Sequence, residues 1–514
     1  MLEYDLIIHG ADVIDGTGAP RFAADVGVVG DRIATIWRQT GAATGALTGA
    51  ATGAVTAALA AATSLAAARP AATRPQCRVI DGTGKILAPG FIDVHTHDDT
   101  ALIDNPGMAM KASQGVTTVV CGNCGFSVAP YTRDDATKML SLIVKNLANT
   151  GRDFAQFAAK VEAAKPALNG AFLIGHSTLR LCTMGDDLDR VASADEIEQM
   201  RGLLDTALQQ GAIGLSSGLF YPTASHATLA EVARVAEPLG RWGGIYTAHM
   251  RDEADHILPA MDETFEIGRR AGASVVVSHH KCSARQNFGR MRETLPKFDQ
   301  ARRKQDISFD VYPYIAGSTI LRKEMIARAD KVLIAWSDSV ADVSGRDLKE
   351  LAAQWGVSMA DAADRLQPAG AIYFMMDEAD VRSAMAHPAA MIGSDGIPFD
   401  THPHPRLWGT FPRVLGHYSR ELKLFPLEAA VHKMTGLSAH NFRLAQRGVV
   451  REGYFADLCL FDANTVLDTA TFERPISPSV GIDTVIVNGA MVWAQGKVTD
   501  ERPGRVLRRQ SGAM

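Results

Sequence analysis

Phe91-Ile-Asp-Val-His95-Thr-His97-Asp-Asp99 is the stretch of sequence that decides the fold of this chain. Apolar residues lead into two histidines spaced two positions apart, and the turn residues Ala88-Pro89-Gly90 come directly before them. Side chains at positions i and i+2 of a strand project from the same face, so both imidazoles can reach one space. Neutral imidazole is a common ligand of divalent metals. Two histidines alone also fit the ordinary end of a strand, so the prediction of a metal site depends on the rest of the chain.

Short apolar runs like this one recur along the chain, separated by segments of helical periodicity. Continuous apolar runs that alternate with helices are typical of a parallel sheet buried on both faces. Eight such units indicate an α/β fold, a (β/α)8 TIM-like barrel whose chemistry lies at the carboxyl ends of the strands. The predicted strands are Phe91–Val94, Thr117–Val120, Ala171–Gly175, Ile213–Ser216, Ile245–Ala248, Ser274–Ser278, Ser308–Val311 and Ala390–Gly393.

The two ends of the chain show short alternating strands separated by turn residues, which is a different pattern. We expect residues 1–87 and 448–514 to form one small discontinuous β domain, with residues 77–87 as a hairpin of it. The barrel then spans residues 88–447. The interval between the seventh and eighth runs is too long for one helix, which predicts an inserted helical subdomain at about 318–370 near the barrel mouth.

The composition is that of an ordinary globular protein. A hydrophobic fraction of 46% and a formal net charge of −5 give no indication of a nucleic-acid or membrane partner. Six cysteines in 514 residues do not suggest a disulfide framework, and the first residues show no signal peptide, so we expect a cytoplasmic enzyme. Residues 40–75 are almost wholly Ala, Thr and Gly, which predicts a disordered or loosely helical insertion.

Residue types that bind metals stand at the ends of most of the apolar runs. A barrel assembles its active site from these strand ends, so the set predicts a metal-dependent active site. In chain order the candidates are His95 and His97, Cys121 and Cys124, His176, His249, His279 and His280, Tyr312, and Asp395.

The pair Cys121 and Cys124 admits several interpretations. No second cysteine pair has zinc-ribbon spacing, so a structural zinc site of four cysteines is not expected. The fold that surrounds a thioredoxin-like redox pair is also missing. A redox switch formed by the two cysteines stays an open alternative. One thiolate ligand is the better explanation, with Cys124 favoured and Cys121 as buried filler. His280 should face away from the site because consecutive strand residues point in opposite directions. His176 fits either a position beside the site or the core.

This constellation resembles the amidohydrolase superfamily and, within it, the D-aminoacylase family of N-acyl-D-amino-acid deacylases. The resemblance covers nearly the whole chain, except that the family usually has only a short turn in place of residues 40–75. The segments that carry it are residues 90–99, Gly122-Asn-Cys-Gly125, Gly214-Leu-Ser-Ser-Gly-Leu-Phe-Tyr-Pro222, His249-Met-Arg-Asp-Glu253, Ser278-His-His-Lys281, Ser394-Asp-Gly396 and His404-Pro-Arg-Leu-Trp-Gly-Thr-Phe-Pro-Arg413.

The resemblance implies a zinc enzyme that hydrolyses the amide bond of N-acyl-D-amino acids. A tightly held zinc ion would lie on Cys124, His249 and His279, and a second, weaker site would lie by His95 and His97. Metal-activated water would attack the amide, with Asp395 as a ligand and as general base and then acid. The residues implied in substrate binding are Lys281, Tyr312, Ser318, Arg406 and Tyr221.

The sequence contains two competing indications of which substrate side chain is preferred. Met375 and Met376 fit a flexible apolar pocket, with Met376 as the substrate contact, and favour an apolar D-amino acid. Arg322 and Lys323 would instead suit a second carboxylate, as in N-acyl-D-glutamate. Neither the oligomeric state nor the number of metal ions can be derived from the sequence.

Two other functions fit parts of the pattern. A cyclic-amide hydrolase of the hydantoinase or dihydroorotase type usually needs a carboxylated lysine, but the fourth run closes with Leu215-Ser-Ser-Gly218. A barrel that has become a non-catalytic scaffold would not be expected to retain every type of ligand.

Overall fold

The structure is a computed structural model that describes residues 3–39, 77–133 and 146–509. The tract at 40–75, expected to be disordered or loosely helical, lies outside the described residues. Within these ranges the strands form three sheets. In chain order the strands are β1 (Leu6–Val13), β2 (Phe22–Val29), β3 (Arg32–Arg38), β4 (Arg78–Asp81), β5 (Ile86–Pro89), β6 (Phe91–Asp93), β7 (Val116–Cys121), β8 (Asn169–Gly175), β9 (Gly214–Gly218), β10 (Ile245–His249), β11 (Ser274–Val277), β12 (Ile307–Val311), β13 (Ala316–Ile320), β14 (Lys331–Ser337), β15 (Ala369–Phe374), β16 (Ala390–Ile392), β17 (Leu458–Phe461), β18 (Ile482–Val487), β19 (Ala490–Ala494) and β20 (Lys497–Val498).

One sheet is the barrel that the apolar runs predict. Its eight strands follow one another in the order β6 to β12 and then β16, and each paired neighbour is parallel. The two edge strands approach each other at a bridge between Thr96 and Gly396, and the amide of Asp395 donates to the carbonyl of His95 at 2.7 Å. Every residue of these strands is buried. The predicted (β/α)8 fold is therefore confirmed.

Helices connect the strands and cover the outside of the barrel. In the helix Ala194–Gln209, Ser193 and Glu196 form a capping box that fixes where the helix begins. Leu204 lies on the face of this helix that is buried against the protein. None of the described helices is long and apolar enough to cross a bilayer. The described helices are α1 (Ala101–Asp104), α2 (Ala109–Ala112), α3 (Phe154–Ala164), α4 (His176–Met184), α5 (Ala194–Gln209), α6 (Leu229–Ala236), α7 (Pro238–Trp242), α8 (Ile257–Ala271), α9 (Met291–Arg302), α10 (Lys323–Ile326), α11 (Leu348–Trp355), α12 (Met359–Leu366), α13 (Glu378–Ala386), α14 (Arg406–Arg413), the π-helical segment Val414–Glu421, α15 (Leu427–Met434) and α16 (Gly436–Asn441), with short 3-10 turns at Leu147–Asn149 and Arg285–Asn287.

A second sheet combines strands from both parts of the chain that flank the barrel. It runs β20-β19-β18-β17-β5-β1-β2-β3, with β4 also paired to β1. The hairpin expected at 77–87 is wrong, because β4 and β5 both lie parallel to β1, at successive positions along its edge. Both strands bond to the same neighbour, so the turn between them does not reverse the chain. The domain boundaries at 87 and 448 stay a prediction.

The insertion before β16 contains a third sheet as well as helices, so the predicted helical subdomain at about 318–370 is corrected to a mixed one. Strands β13, β15 and β14 pair antiparallel, and α11 and α12 contribute apolar side chains to the same small core. A sheet forms here because the apolar residues of β14 and β15 are buried by strand pairing, as in the pair of Leu333 and Ile372. Strand β13 runs past the barrel mouth and supplies part of the cavity wall described below.

Candidate metal centre

Six side chains predicted from the strand ends lie together at the mouth of the barrel. Their donor atoms form two groups, and within each group all of these atoms lie within 4.8 Å of one another. Cys124 belongs to both groups, so two neighbouring ions could share its sulfur. The first group is Cys124, His249 and His279, and the second is His95, His97, Cys124 and Asp395.

The distances between donor atoms fit zinc. The Sγ atom of Cys124 lies 3.3 Å from Nε2 of His279, 3.7 Å from Nδ1 of His249 and 3.3 Å from Nε2 of His95. Zinc bonds of about 2.0–2.3 Å at tetrahedral angles place neighbouring donor atoms roughly 3.3–3.6 Å apart. A thiolate combined with imidazoles is also a donor set that suits zinc. The residues present therefore fit this ion.

Three of these residues have an unusual backbone conformation. The φ angles of Cys124, His279 and Asp395 are 55°, 36° and 50°, in the left-handed region that non-glycine residues rarely adopt. Such a conformation costs on the order of 1–3 kcal/mol and persists only where the surroundings enforce it. Each residue follows the end of a barrel strand, so the sharp turn there directs its side chain towards the site.

The two cysteines differ in their electrostatic environment. Burial opposes ionisation of the Cys124 thiol, but the charges of His95 and His279 outweigh it and hold its pKa well below the usual value. Burial raises the pKa of Cys121 well above its usual value, and its sulfur lies 3.4 Å from the hydroxyl of Thr96. A thiolate is the form that binds metal. The structure thus brings Cys124, and not Cys121, among the imidazoles.

Two carboxylates that the sequence analysis missed orient the histidines. Glu253 Oε1 lies 2.9 Å from Nδ1 of His279, whose Nε2 faces the Cys124 sulfur. Asp310 Oδ2 lies 3.3 Å from Nδ1 of His95, and its Oδ1 accepts the amide of His279 at 2.9 Å. A carboxylate behind a metal-binding histidine fixes the ring and its tautomer. A signal for Asp310 was present, since it is a charged residue inside an apolar run.

Asp395 is buried between the second histidine pair and an arginine. Its Oδ1 lies 3.2 Å from Nε2 of His97 and 3.5 Å from Nε2 of His95, and its Oδ2 lies 2.9 Å from Nη2 of Arg406. Burial alone would raise the pKa of Asp395, but Arg406 and His95 outweigh this and hold it well below its usual value. The carboxylate is therefore ionised at neutral pH.

A cavity of about 290 Å³ opens onto this cluster. Of the residues predicted to bind substrate, Tyr221, Lys281, Tyr312 and Ser318 line it. Arg406 is not among the lining residues, but its guanidinium lies 4.6 Å from the Tyr312 ring centre and pairs with Asp395, which lines the cavity. Further lining residues include Phe220, Arg322, Met325 and Met375.

Other candidates lie away from this cavity. Met376 packs under Tyr312, whose hydroxyl is 3.8 Å from its sulfur, and Met375 lines the cavity instead. Lys323 pairs with Asp364 at the surface. His280 faces away as expected, with its Nε2 atom 2.9 Å from the hydroxyl of Thr294.

His176 belongs to a different buried cluster. Its Nε2 lies 3.2 Å from Glu231, which also pairs with Arg180, and all three side chains are fully buried. The structure places this histidine in the core beside the barrel and outside both groups of donor atoms.

Comparisons with known proteins identify the family to which the chain is related. A model of the amidohydrolase family matches residues 78–314 and 319–493. The chain is 49% identical to a D-aminoacylase of Alcaligenes xylosoxydans xylosoxydans over 506 residues, covering 98% of each chain. It also resembles a D-aminoacylase structure described for its binuclear metal centre, with 49% identity, a TM-score of 0.89, and coverage of 99% of this chain and 100% of that one.

A further solved structure is that of an N-acyl-D-glutamate deacylase from Bordetella bronchiseptica. That protein was solved with zinc and a phosphonate inhibitor that mimics the tetrahedral intermediate. It is 43% identical, with a TM-score of 0.88 and coverage of 99% of this chain and 100% of that one. The family match and these identities over nearly full length lead to one conclusion: the chain belongs to the amidohydrolase family, among the D-aminoacylases and related N-acyl-D-amino-acid deacylases.

Proposed function

We propose that this protein hydrolyses N-acyl-D-amino acids to a carboxylate and a free D-amino acid in a zinc-dependent reaction. The observation that carries the proposal is the convergence of Cys124, His249 and His279 beside the ionised carboxylate of Asp395, at the end of a cavity. The N-acyl-D-glutamate deacylase bound to zinc and a phosphonate mimic supports the same chemistry for this fold.

The tight zinc site is assigned to Cys124, His249 and His279, and a second site to His95 and His97 beside Asp395. Two sites agree with the D-aminoacylase described as having a binuclear centre with one-metal activation and second-metal attenuation. When bound, zinc activates water and polarises the acyl carbonyl. Glu253 and Asp310 hold the rings of His279 and His95 in the orientation that this requires.

Asp395 moves the protons of the reaction. Its Oδ1 faces the histidines and its Oδ2 is fixed by Arg406, so the carboxylate has one set orientation. It accepts a proton from the attacking water and delivers it to the leaving amine nitrogen, which balances the hydrolysis without another acid. Because Arg406 and the histidines stabilise the ionised form, Asp395 is in the basic state at neutral pH.

The α-carboxylate of the substrate is assigned to Arg406, Lys281, Tyr312 and Ser318. Arg406 is fully buried, and within the described structure its Nε and Nη1 have no hydrogen-bond partner. The hydroxyl of Ser318 is likewise buried and without a partner there. Buried donors of this kind are costly unless a ligand satisfies them, which supports a carboxylate as the missing partner.

A direct test compares rates on N-acetyl-D-methionine, N-acetyl-D-glutamate and N-acetyl-L-methionine with the zinc-loaded protein. Release of free D-amino acid, with little cleavage of the L-substrate, is expected. Preferred cleavage of the L-substrate would contradict the stereochemical part of the proposal, and absence of cleavage of all three would contradict the function.

Replacing Lys281 by Ala should raise KM for N-acetyl-D-methionine about tenfold or more, with a smaller effect on kcat. A charge-assisted hydrogen bond to the substrate carboxylate, worth roughly 1.5–3 kcal/mol, is removed. Lys281 Nζ lies 2.8 Å from both oxygens of Glu253, so its ammonium is held at the cavity wall. Steady-state kinetics measure the effect, and a substrate whose carboxylate is replaced by an amide serves as control. Unaltered KM would dismiss the assignment.

The cavity wall proposed to contact the side chain of the substrate contains both apolar residues and a cation. Phe220, Met325 and Met375 offer apolar contacts, while Arg322 presents a guanidinium 4.8 Å from the Phe220 ring centre. Between the two cations proposed for a second carboxylate, Arg322 is favoured, because it lines the cavity, where it also pairs with Glu324 at 3.5 Å, whereas Lys323 pairs with Asp364 at the surface. We propose that the cavity accepts apolar D-amino acids and that Arg322 adds acceptance of acidic ones.

Replacing Arg322 by Met should lower kcat/KM for N-acetyl-D-glutamate about tenfold or more and leave N-acetyl-D-methionine nearly unchanged, since only the former loses an ion pair to the guanidinium. Parallel kinetics on both substrates measure the ratio. Lys323→Met is the matched control, as it removes the neighbouring charge outside the cavity. An equal change on both substrates would exclude Arg322 as a determinant of charge preference.

The two alternative functions are not favoured. Strand β9 carries Ser216 and Ser217 where a cyclic-amide hydrolase with a carboxylated lysine would need that residue. A non-catalytic scaffold would have no reason to keep Asp395 ionised and buried beside a complete set of metal-binding donors.

A further inference from the structure

The loop that carries Cys124 has an irregular backbone. It follows β7, and Gly122, Cys124 and Gly125 all have φ angles in the left-handed region, at 79°, 55° and 83°. A loop of this shape cannot join the regular hydrogen-bond ladder of the sheet. Its buried backbone groups need other partners, and the position of the Cys124 sulfur depends on them.

One hydroxyl holds the loop from both sides of the cysteine. Ser216 Oγ donates a hydrogen bond to the carbonyl of Gly122 and accepts one from the amide of Gly125 at 3.0 Å. Ser216 is fully buried in the middle of β9, so this hydroxyl is fixed by a rigid strand. The two bonds enclose Asn123 and Cys124 and fix the turn that directs the sulfur to the imidazoles.

The loop also fits tightly against its neighbours. A Cβ atom at Gly122 would lie 2.1 Å from the carbonyl oxygen of Leu173 on β8, and one at Gly125 would lie 2.8 Å from the amide of Gly218 on β9. The side-chain Nδ2 of Asn123 also donates a hydrogen bond to the carbonyl of Val120 at 2.9 Å. The backbone therefore lies against two barrel strands, and Ser216 is the side chain that joins it to β9.

We infer that Ser216 is a positioning residue for the tight metal site, acting through Cys124 without touching metal or substrate. This inference rests on the proposed zinc site. Removing the hydroxyl leaves the buried Gly122 carbonyl and Gly125 amide without this partner, and the loop relaxes to recover other bonds. Loss of a group that orients a metal ligand typically weakens metal affinity about 10- to 100-fold.

The test compares Ser216→Ala with Ser217→Ala. Ser217 is the next residue on β9, is equally buried, and also uses its hydroxyl in one short contact, to Tyr246 at 2.7 Å. Its hydroxyl bonds away from the cysteine loop, so the pair separates positioning from the general loss of a buried hydroxyl. Zinc affinity is measured by competition with a chromophoric chelator, Tm is measured on the metal-free proteins, and cobalt-substituted protein reports on the thiolate through its sulfur-to-cobalt charge-transfer band.

For Ser216→Ala we expect zinc affinity to fall about 10- to 100-fold relative to Ser217→Ala. The charge-transfer band should shift or weaken only in Ser216→Ala, while the metal-free Tm values of the two variants stay close to each other. Equal zinc affinities and unchanged bands in both variants would overturn the inference while leaving the proposed function intact. Wild-type protein without a tight zinc site or a thiolate band would instead overturn the proposed function itself.

Discussion

Asp395→Asn should lower kcat for N-acetyl-D-methionine by about 100- to 10,000-fold, the range typical of losing a general acid–base group. The amide keeps the shape of the side chain but cannot accept a proton from water or deliver one to the leaving amine. The proposed donors of the tight site are Cys124, His249 and His279, so zinc bound there should largely persist. Steady-state kinetics combined with zinc content per chain measure both quantities on the same preparation.

Asp252→Asn is the matched control for this prediction. Asp252 is another acid on the wall of the same cavity, but its carboxylate accepts the amide of Ala254 at 2.6 Å and takes no part in either metal group. Its kcat should remain within a few-fold of the wild-type value. Near-normal turnover in Asp395→Asn would refute the proton-transfer role, and complete loss of zinc would show that Asp395 belongs to the tight site instead.

Cys124→Ser should reduce zinc affinity by more than about 100-fold, because it removes a proposed ligand itself and not only an outer partner of one. The sulfur lies 3.3 Å from the facing nitrogens of both His95 and His279, so both proposed sites lose a donor. Activity should fall with the metal content. Zinc retained after dialysis against a weak chelator, and turnover at several zinc concentrations, measure the effect.

Cys121→Ser provides the comparison within the same loop region. Its sulfur is buried against the Thr96 hydroxyl at 3.4 Å and is not part of either donor group. We expect this variant to bind zinc with nearly wild-type affinity. The assignment would be wrong if Cys121→Ser lost zinc and Cys124→Ser kept it, and a redox-switch role would gain support if both variants bound zinc normally.

The barrel could be predicted because each of its strands is covered on both faces. Burial on both sides leaves a continuous apolar run, as in Ile245–Ala248, and the polar residue that ends the run marks the carboxyl end of the strand. His249 and Asp395 stand out for this reason. Since parallel strands present these ends at one side of the barrel, the convergence of distant residues follows from the pattern alone.

Strand partners outside the barrel could not be derived in the same way. Apolar segments such as Lys331–Ser337 and Ala369–Phe374 are buried by pairing with each other, although two helices separate them in sequence. Short apolar runs also fit buried helices, so periodicity alone did not reveal the third sheet. The partner of β4 and β5 is likewise set by the shared edge of β1 and not by the turn between them.

Residues that support the ligands were harder to recognise than the ligands. Glu253 lies in the polar stretch Arg251-Asp-Glu253, where it has the appearance of a surface acid, and only the fold brings it to the ring of His279. The choice between Met375 and Met376 shows that a sequence pattern can place a contact one residue away from its true position. Their order along the chain does not say which of the two side chains faces the cavity. The hydroxyl of Ser216 has no distinguishing pattern in the sequence.

X-ray absorption at the zinc edge on protein loaded with a single equivalent of zinc tests the central claim most directly. The proposed site predicts one sulfur scatterer at about 2.3 Å, together with nitrogen scatterers at about 2.0–2.1 Å that include imidazole. The sulfur contribution should disappear in Cys124→Ser and remain in Cys121→Ser. A zinc shell in the wild-type protein made only of nitrogen and oxygen atoms would contradict the claim that Cys124 and the two histidines hold the same ion.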